Sequence, residues 1–228
     1  MRQLALNIGL APEPTLDSFV PGENAAVLQH LRLWIGGADR SPVPIYLWGP
    51  TGAGKTHLLR AVRGVLQGQG APVGWLDART PASAAFDESW AAVLMDDVHQ
   101  LGPGLQHLAF NWFVNAVAPA SGRPRAVLAA GCLPPADLPL REDLRTRLGW
   151  GHVFELHSLS DPALRAALRE AARARGLALA DEVVDYVLAR FARDLASLTG
   201  LLDRLDRYAL QTRRAVTIPL IKSMLQEE

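Results

Sequence analysis

One glycine-rich segment contains residues whose types and spacing favour nucleotide chemistry. It reads Gly49-Pro50-Thr51-Gly52-Ala53-Gly54-Lys55-Thr56 and fits the pattern G-x-x-x-x-G-K-[ST] of a phosphate-binding loop. The glycines allow backbone N–H groups to turn inward onto phosphate oxygens. Lys55 is expected to reach the β- and γ-phosphates, and the Thr56 hydroxyl to hold Mg²⁺. The motif therefore predicts a site for ADP or ATP with Mg²⁺.

Such a site also needs a carboxylate near the metal, at the end of an apolar strand. Residues 93–95 are Val-Leu-Met, and Asp96 and Asp97 follow them directly. We interpret Asp96 as the metal-side carboxylate. For Asp97 two roles stay open, because its side chain is placed either to orient an attacking water or simply to cap the next segment.

The elements that must position these residues alternate between short apolar runs and longer helical patterns. Strands are predicted at residues 45–48, 73–76, 91–95, 126–129 and 153–156, and helices at 24–35, 55–67, 105–117 and 142–148. Apolar strands that alternate with helices predict a parallel sheet covered on both faces.

The pattern changes near residue 158, after which only helical periodicity recurs. Asp161 is predicted as an N-cap, with Pro162 at the first helical position. Three helical stripes and a last short helix opened by Thr217-Ile218-Pro219 follow. We therefore expect a tail over residues 1–14, an α/β domain over 15–158 and an all-helical domain over 159–228.

Composition narrows the classes of protein further. The chain has 228 residues, with 23 Lys and Arg against 23 Asp and Glu, and a single cysteine. The charge balance argues against strong direct binding to DNA, which depends on excess Lys and Arg. One cysteine excludes a disulfide framework and fits a cytoplasmic protein. No apolar stretch is long enough to span a membrane.

The order of P-loop, Asp-Asp pair and helical C-terminal part resembles AAA+ ATPases. Residues 15–24 (T-L-D-S-F-V-P-G-E-N), 54–59 (G-K-T-H-L-L) and 145–151 (R-T-R-L-G-W-G) are similar to the DnaA/Hda family of replication proteins, and residues 202–207 (L-D-R-L-D-R) look most like its Hda-type members. The resemblance covers essentially the whole chain. It implies an AAA+ P-loop NTPase domain with a parallel sheet, followed by a small helical lid.

The resemblance also implies partners. Arg147 matches the arginine finger that such proteins insert in trans into the ATP site of DnaA, and so stimulate hydrolysis there. Gln3, Leu4 and Leu6 match a short Q-L-x-L motif that binds the sliding clamp of DNA polymerase III, as an extended peptide in an apolar groove. The resemblance therefore implies a negative regulator of replication initiation that reaches DNA only indirectly, through the clamp. The chain stops directly after the lid, which fits the expected absence of a DNA-reading domain. Head-to-tail AAA+ contacts also make self-association an expectation.

Two positions depart from the family pattern. Cys132 stands where a polar or acidic residue normally senses the γ-phosphate, and Ala196 stands where a lid arginine normally reaches the nucleotide. Arg193, one turn earlier, is a candidate replacement for that arginine. Nucleotide binding is therefore expected, with weak or absent hydrolysis by the chain itself.

Three other interpretations stay open. The chain could be an autonomous ATPase or helicase loader of the initiator group, which Cys132 and Ala196 argue against. It could be a tethered adaptor with a purely structural nucleotide, which the charge balance argues against where the tether is DNA. A small-molecule kinase is a more distant alternative, because substrate-binding insertions are not seen.

Overall fold

The computed structural model describes residues 13–37, 41–119, 122, 124–192 and 194–226. Five strands occur in this part of the chain: β1 Ile45–Trp48, β2 Val73–Leu76, β3 Ala92–Met95, β4 Ala126–Gly131 and β5 His152–Glu155. The helices are α1 Ala25–Gly36, α2 Lys55–Gly68, α3 Pro103–Val117, α4 Glu142–Leu148, α5 Asp161–Arg173, α6 Asp181–Arg190, α7 Leu195–Thr212 and α8 Ile218–Gln226. Most predicted elements agree with these bounds to within one or two residues.

The strands form one sheet in the order β2-β3-β4-β1-β5, and every pairing is parallel. Successive side chains of β1 point to opposite faces, as the two-residue period of a strand requires. Ile45 and Leu47 join the core under α1 and α2, whereas Tyr46 joins the core under α3 and α4. Both faces are covered, which explains why β3 and β4 are buried at every position.

The sheet order positions the chemistry. The glycine-rich loop follows β1, Asp96 follows β3, and Cys132 follows β4, which lies between β3 and β1. Because the carboxyl ends of parallel strands lie at one edge, these three segments meet there.

Helices α5 to α8 form a third core of their own, separate from the two cores of the sheet. Leu168, Val187, Leu202 and Ile221 are examples of its buried residues. The predicted start of α5 was wrong by one residue. Ser160 is the N-cap, its hydroxyl accepts the Ala163 N–H, and Asp161 is the first helical residue. The hydroxyl one residue earlier satisfies the free N–H, so Asp161 instead adds its negative charge to the first turn.

The predicted fold class, a parallel α/β sheet followed by helices, is confirmed. The domain limits at 14/15 and 158/159 stay a prediction. None of the helices in the described part of the chain has the length and apolar character that a bilayer crossing requires.

Candidate nucleotide site and arginine groove

Lys55 lies at the start of α2 and is buried, with 6% of its surface exposed. Its ammonium donates hydrogen bonds to the carbonyl oxygens of Gly49 (2.7 Å) and Pro50 (2.8 Å). Both acceptors belong to the glycine-rich loop itself. The cation is therefore held inside the loop by neutral dipoles, and a phosphate oxygen would be a stronger partner for it.

Thr56 and Asp96 meet as the sequence predicts. The Thr56 hydroxyl donates to the Asp96 carboxylate over 3.1 Å, although the two residues are 40 positions apart. Asp96 is 5% exposed. A hydroxyl and a carboxylate oxygen in contact form a donor set that suits Mg²⁺, which prefers oxygen ligands.

Asp97 has a left-handed backbone, with φ of 47°. This conformation is uncommon outside glycine, and Asp is one of the residues that tolerates it. It lets the Asp97 N–H donate to the Asp96 carboxylate (3.1 Å), while the Asp97 side chain accepts from the Gln100 side-chain amide (3.3 Å). Asp97 therefore supports Asp96 and the next turn, and the water-orienting role stays a prediction.

Burial dominates the electrostatics of the site. It lowers the pKa of Lys55, against the opposing electrostatic effect of Asp97, Cys132 and Asp96. It also raises the pKa of Asp96, despite the hydrogen bond from Thr56. Desolvation thus disfavours the charged forms of both Lys55 and Asp96. Such shifts are typical of ionisable residues in a site that binds a charged ligand.

Two glycines of the loop are required by contacts that the sequence did not predict. Gly52 (φ 84°) faces Asp194 at the start of α7, and an added Cβ would lie 2.6 Å from the Asp194 Cβ. Gly54 (φ 93°) faces the ring of Phe19, where an added Cβ would lie 2.6 Å from the nearest ring carbon. The loop is thus packed between the segment before α1 and the helical C-terminal part. The Lys55 ammonium and the left-handed glycine backbone of the loop are groups that fit a phosphate.

The positions that depart from the family pattern lie at this site or beside it. Cys132 directly follows β4 and is close enough to Lys55 to affect the pKa of the lysine electrostatically. Ala196 is the second residue of α7, in the turn next to Asp194. The Asp194 carboxylate caps that helix by accepting the Ser197 N–H (2.8 Å). Arg193 lies outside the described residues.

Arg147 lies elsewhere, on α4, in a groove of about 1040 Å³ between α3 and α4. Residues that line it include Phe113, Val117, Arg141 and Trp150. Arg147 is exposed and, among the residues described, has no carboxylate within ion-pair distance. Its guanidinium lies over the rings of Phe110 (5.2 Å) and Phe113 (6.0 Å). Arg147 was predicted from the sequence, whereas Phe110 lies within a helix predicted at residues 105–117 and no role was predicted for it.

Gln3, Leu4 and Leu6 lie outside the described residues, so the clamp motif stays a prediction. The segment that follows them can be described from residue 13 onward. His57 on α2 donates through Nε2 to the Thr15 carbonyl oxygen (2.9 Å), and the same nitrogen is 3.3 Å from the Ser18 hydroxyl.

Comparison with known proteins identifies the class. Residues 161–225 match the family model "Hda, lid domain", and residues 10–72 match the model of the bacterial DnaA ATPase domain. Domain III of the Thermotoga maritima replication initiation protein DnaA has the same fold, with 21% identity, 96% of this chain and 98% of that chain covered, and a TM-score of 0.76. The structure of AMPPCP-bound DnaA from Aquifex aeolicus is also similar, with 22% identity, 88% of this chain and 73% of that chain covered, and a TM-score of 0.68.

A further similar structure is the RuvB Holliday junction branch migration motor of Thermotoga maritima. It has 17% identity, 94% of this chain and 72% of that chain are covered, and the TM-score is 0.67. The fold and its loop therefore define an AAA+ P-loop protein. The two family models, at either end of the chain, show that it belongs to the DnaA/Hda family.

Proposed function

We propose that this DnaA-related AAA+ protein is a negative regulator of replication initiation, which binds ATP or ADP with Mg²⁺ and stimulates hydrolysis of the ATP bound to DnaA. The observation that carries the proposal is the state of Arg147. Its guanidinium is exposed, lies in a groove and has no carboxylate partner among the described residues. A free cation at this position is what an arginine finger requires.

The chain's own nucleotide is proposed to bind at Gly49, Pro50, Thr51, Gly52, Ala53, Gly54, Lys55 and Thr56. The backbone N–H groups of the loop and the Lys55 ammonium would hold the phosphates. Thr56 and Asp96 would hold Mg²⁺, which offsets phosphate charge when bound. The bound nucleotide would also order the glycine-rich loop and fix the angle of the helical domain, because Gly52 of the loop packs against Asp194 at the start of α7.

Arg147 is proposed to act on the nucleotide of the partner. Its guanidinium would donate to phosphoryl oxygens on which negative charge develops during hydrolysis. A trans arginine can accelerate such a reaction by about 10³–10⁵-fold, as known for small GTPases. The chain thus supplies a catalytic group to a reaction that takes place in another protein.

Hydrolysis by the isolated chain is proposed to be weak or absent. Cys132 is a poor hydrogen-bond donor beside Lys55, and Ala196 cannot offset phosphate charge. An ATPase assay of the chain alone separates this proposal from that of an autonomous ATPase or helicase loader. Turnover comparable to that of the reconstituted system would favour the autonomous enzyme.

The partner experiment is a reconstitution with DnaA, clamp-loaded DNA and this protein, in which the ATP bound to DnaA is followed over time. Arg147→Ala should abolish the stimulation, because the cation is lost, and leave nucleotide binding by this chain intact. Arg173→Ala is a matched control. Arg173 is an exposed arginine on α5 with a long, 3.9 Å contact to Glu170, so its loss should not change the stimulation. Full stimulation by Arg147→Ala would disprove the finger mechanism.

Clamp binding is proposed to require the tail. Replacing Gln3, Leu4 and Leu6 together by Ala should eliminate capture of this protein by immobilised clamp, because both apolar anchors and the polar contact are lost. Nucleotide binding by the same variant should be unchanged, which serves as the folding control. If the variant is still captured, the clamp site lies elsewhere on the chain.

A further inference from the structure

One aromatic ring, that of Phe110 on α3, contacts two arginines of the groove. The Arg141 guanidinium carbon lies 5.0 Å from the ring centroid, and the Arg147 guanidinium carbon lies 5.2 Å from it. Both distances are within the roughly 6 Å over which a ring attracts a cation. Phe110 itself is half-buried and packs on the core under α3.

The two arginines differ in their other contacts. Arg141 is anchored, since its Nε lies 2.6 Å from the Asp143 carboxylate and a terminal nitrogen contacts His107. Arg147 has no such carboxylate among the residues described, and its guanidinium instead lies over the rings of Phe110 and Phe113. The rings therefore hold the Arg147 guanidinium in the groove, and the Phe110 contact is the closer of the two.

We propose that Phe110 is a positioning residue for Arg147: its ring holds the guanidinium of this groove-lining arginine in a pose from which it can donate to phosphate. The inference rests on the proposed function in naming phosphate as the target. The ring contact itself is independent of any partner.

The geometry of a guanidinium makes this arrangement productive. A carboxylate partner would occupy some of the five N–H donors of the guanidinium, whereas an aromatic ring attracts the cation without accepting a conventional hydrogen bond from it. The contact with Phe110 therefore leaves those donors available for another acceptor. An exposed arginine otherwise loses rotamer entropy when it is fixed, and a side chain already held by a ring loses less when it donates to the reacting phosphate.

The first experiment measures the ring contact in the free protein. The Arg147 Nε–Hε resonance, assigned by its loss in Arg147→Ala, should carry a ring-current shift. Phe110→Leu should remove most of that shift, because Leu keeps the apolar bulk but has no ring. An unchanged resonance in Phe110→Leu would overturn the positioning role.

The second experiment uses the reconstituted system. Phe110→Leu should lower the maximal stimulation of DnaA hydrolysis by about two- to fivefold, the size expected for one exposed cation–ring contact. The protein concentration that gives half-maximal stimulation should not change. Phe110→Tyr, which keeps the ring, should restore the stimulation. Equal or higher stimulation by Phe110→Leu would overturn the proposal.

Phe86→Leu is the matched control. Phe86 is also half-buried on the same core, and its ring lies 5.4 Å from another guanidinium, that of Arg125. Its loss should leave both the Arg147 resonance and the stimulation as in wild type. An equal fall in stimulation for Phe86→Leu and Phe110→Leu would overturn the proposal, since a general packing defect would explain both. Should Arg147→Ala leave stimulation intact, the proposed function fails, while the resonance experiment still decides the ring contact.

Discussion

Lys55 and Arg147 are two cations with proposed functions, and the fold surrounds them in opposite ways. Lys55 is 6% exposed and its ammonium is satisfied by two loop carbonyls. Arg147 is exposed. Its guanidinium contacts two aromatic rings but has no carboxylate partner among the described residues. A ligand for Lys55 must replace internal hydrogen bonds, whereas a ligand for Arg147 replaces only water. The first arrangement suits a tightly bound nucleotide, and the second suits a partner protein that binds transiently.

The largest expected effect separates the two cations directly. Lys55→Met removes the buried charge at similar length, so stabilisation of this chain by added ADP or ATP should disappear. A wild-type protein gains about 2.7 kcal/mol at a ligand concentration of 100 times Kd. Thermal unfolding with and without nucleotide measures this gain. Arg147→Ala is the control and should retain it, and a loss of the gain in both variants would contradict the division between the sites.

The next effect concerns the contact between the loop and α7. Gly52→Ala places a side chain in a left-handed conformation, which costs about 1–2 kcal/mol, and brings its Cβ to 2.6 Å from the Asp194 Cβ. We expect lower stability and weaker nucleotide binding, measured by chemical unfolding and by titration of a fluorescent nucleotide.

Gly64→Ala on α2 is the matched control for this change. Gly64 lies in a helix and an added Cβ would meet nothing within 4 Å. This variant should gain about 0.5–1 kcal/mol, since Ala is the better helix former. A stabilising Gly52→Ala would show that α7 does not press on the loop.

The smallest effect tests the cost of the buried carboxylate. Burial raises the pKa of Asp96 above its unfolded value, so the folded chain loses stability as pH rises from the unfolded pKa towards the folded one. At neutral pH the ionised group is therefore a net cost. Asp96→Asn removes the charge and keeps an oxygen that can accept from Thr56. It should raise the free energy of unfolding, without nucleotide or metal, by about 1 kcal/mol.

Asp87→Asn is the control, because the pKa of Asp87 is shifted in the opposite direction to that of Asp96. The backbone N–H of Ser89 donates to the Asp87 carboxylate (2.8 Å) and lowers the pKa of that group. Neutralising it should not stabilise the chain. If Asp96→Asn fails to stabilise, burial at that position carries no cost.

The parts of the fold that were predictable depend on local pattern. The two-residue and 3.6-residue periods placed nearly every strand and helix, and parallel pairing followed from uninterrupted apolar strands. The contact between Thr56 and Asp96 was also foreseeable, because both follow strands that end at one edge of the sheet.

Contacts between distant segments were not predictable in the same way. Periodicity predicts that Phe110 lies in a helix, but not that an arginine 37 positions later lies over its ring. The packing of Gly52 on Asp194 depends on how α7 meets the loop. The N-cap of α5 was misassigned because Ser160 and Asp161 are both good caps, and only the backbone decides between them.

The hydrogen bond between His57 and the Thr15 carbonyl has a mechanical consequence. His57 is two residues beyond Lys55, and Phe19 lies against Gly54. The chain segment before α1 therefore packs against the end of the glycine-rich loop and the start of α2. From Leu6 to Thr15 a fully extended chain reaches about 30 Å. A sliding clamp bound to the first residues would therefore keep Thr15 within about 30 Å of it. A force on that segment would be transmitted first to the glycine-rich loop.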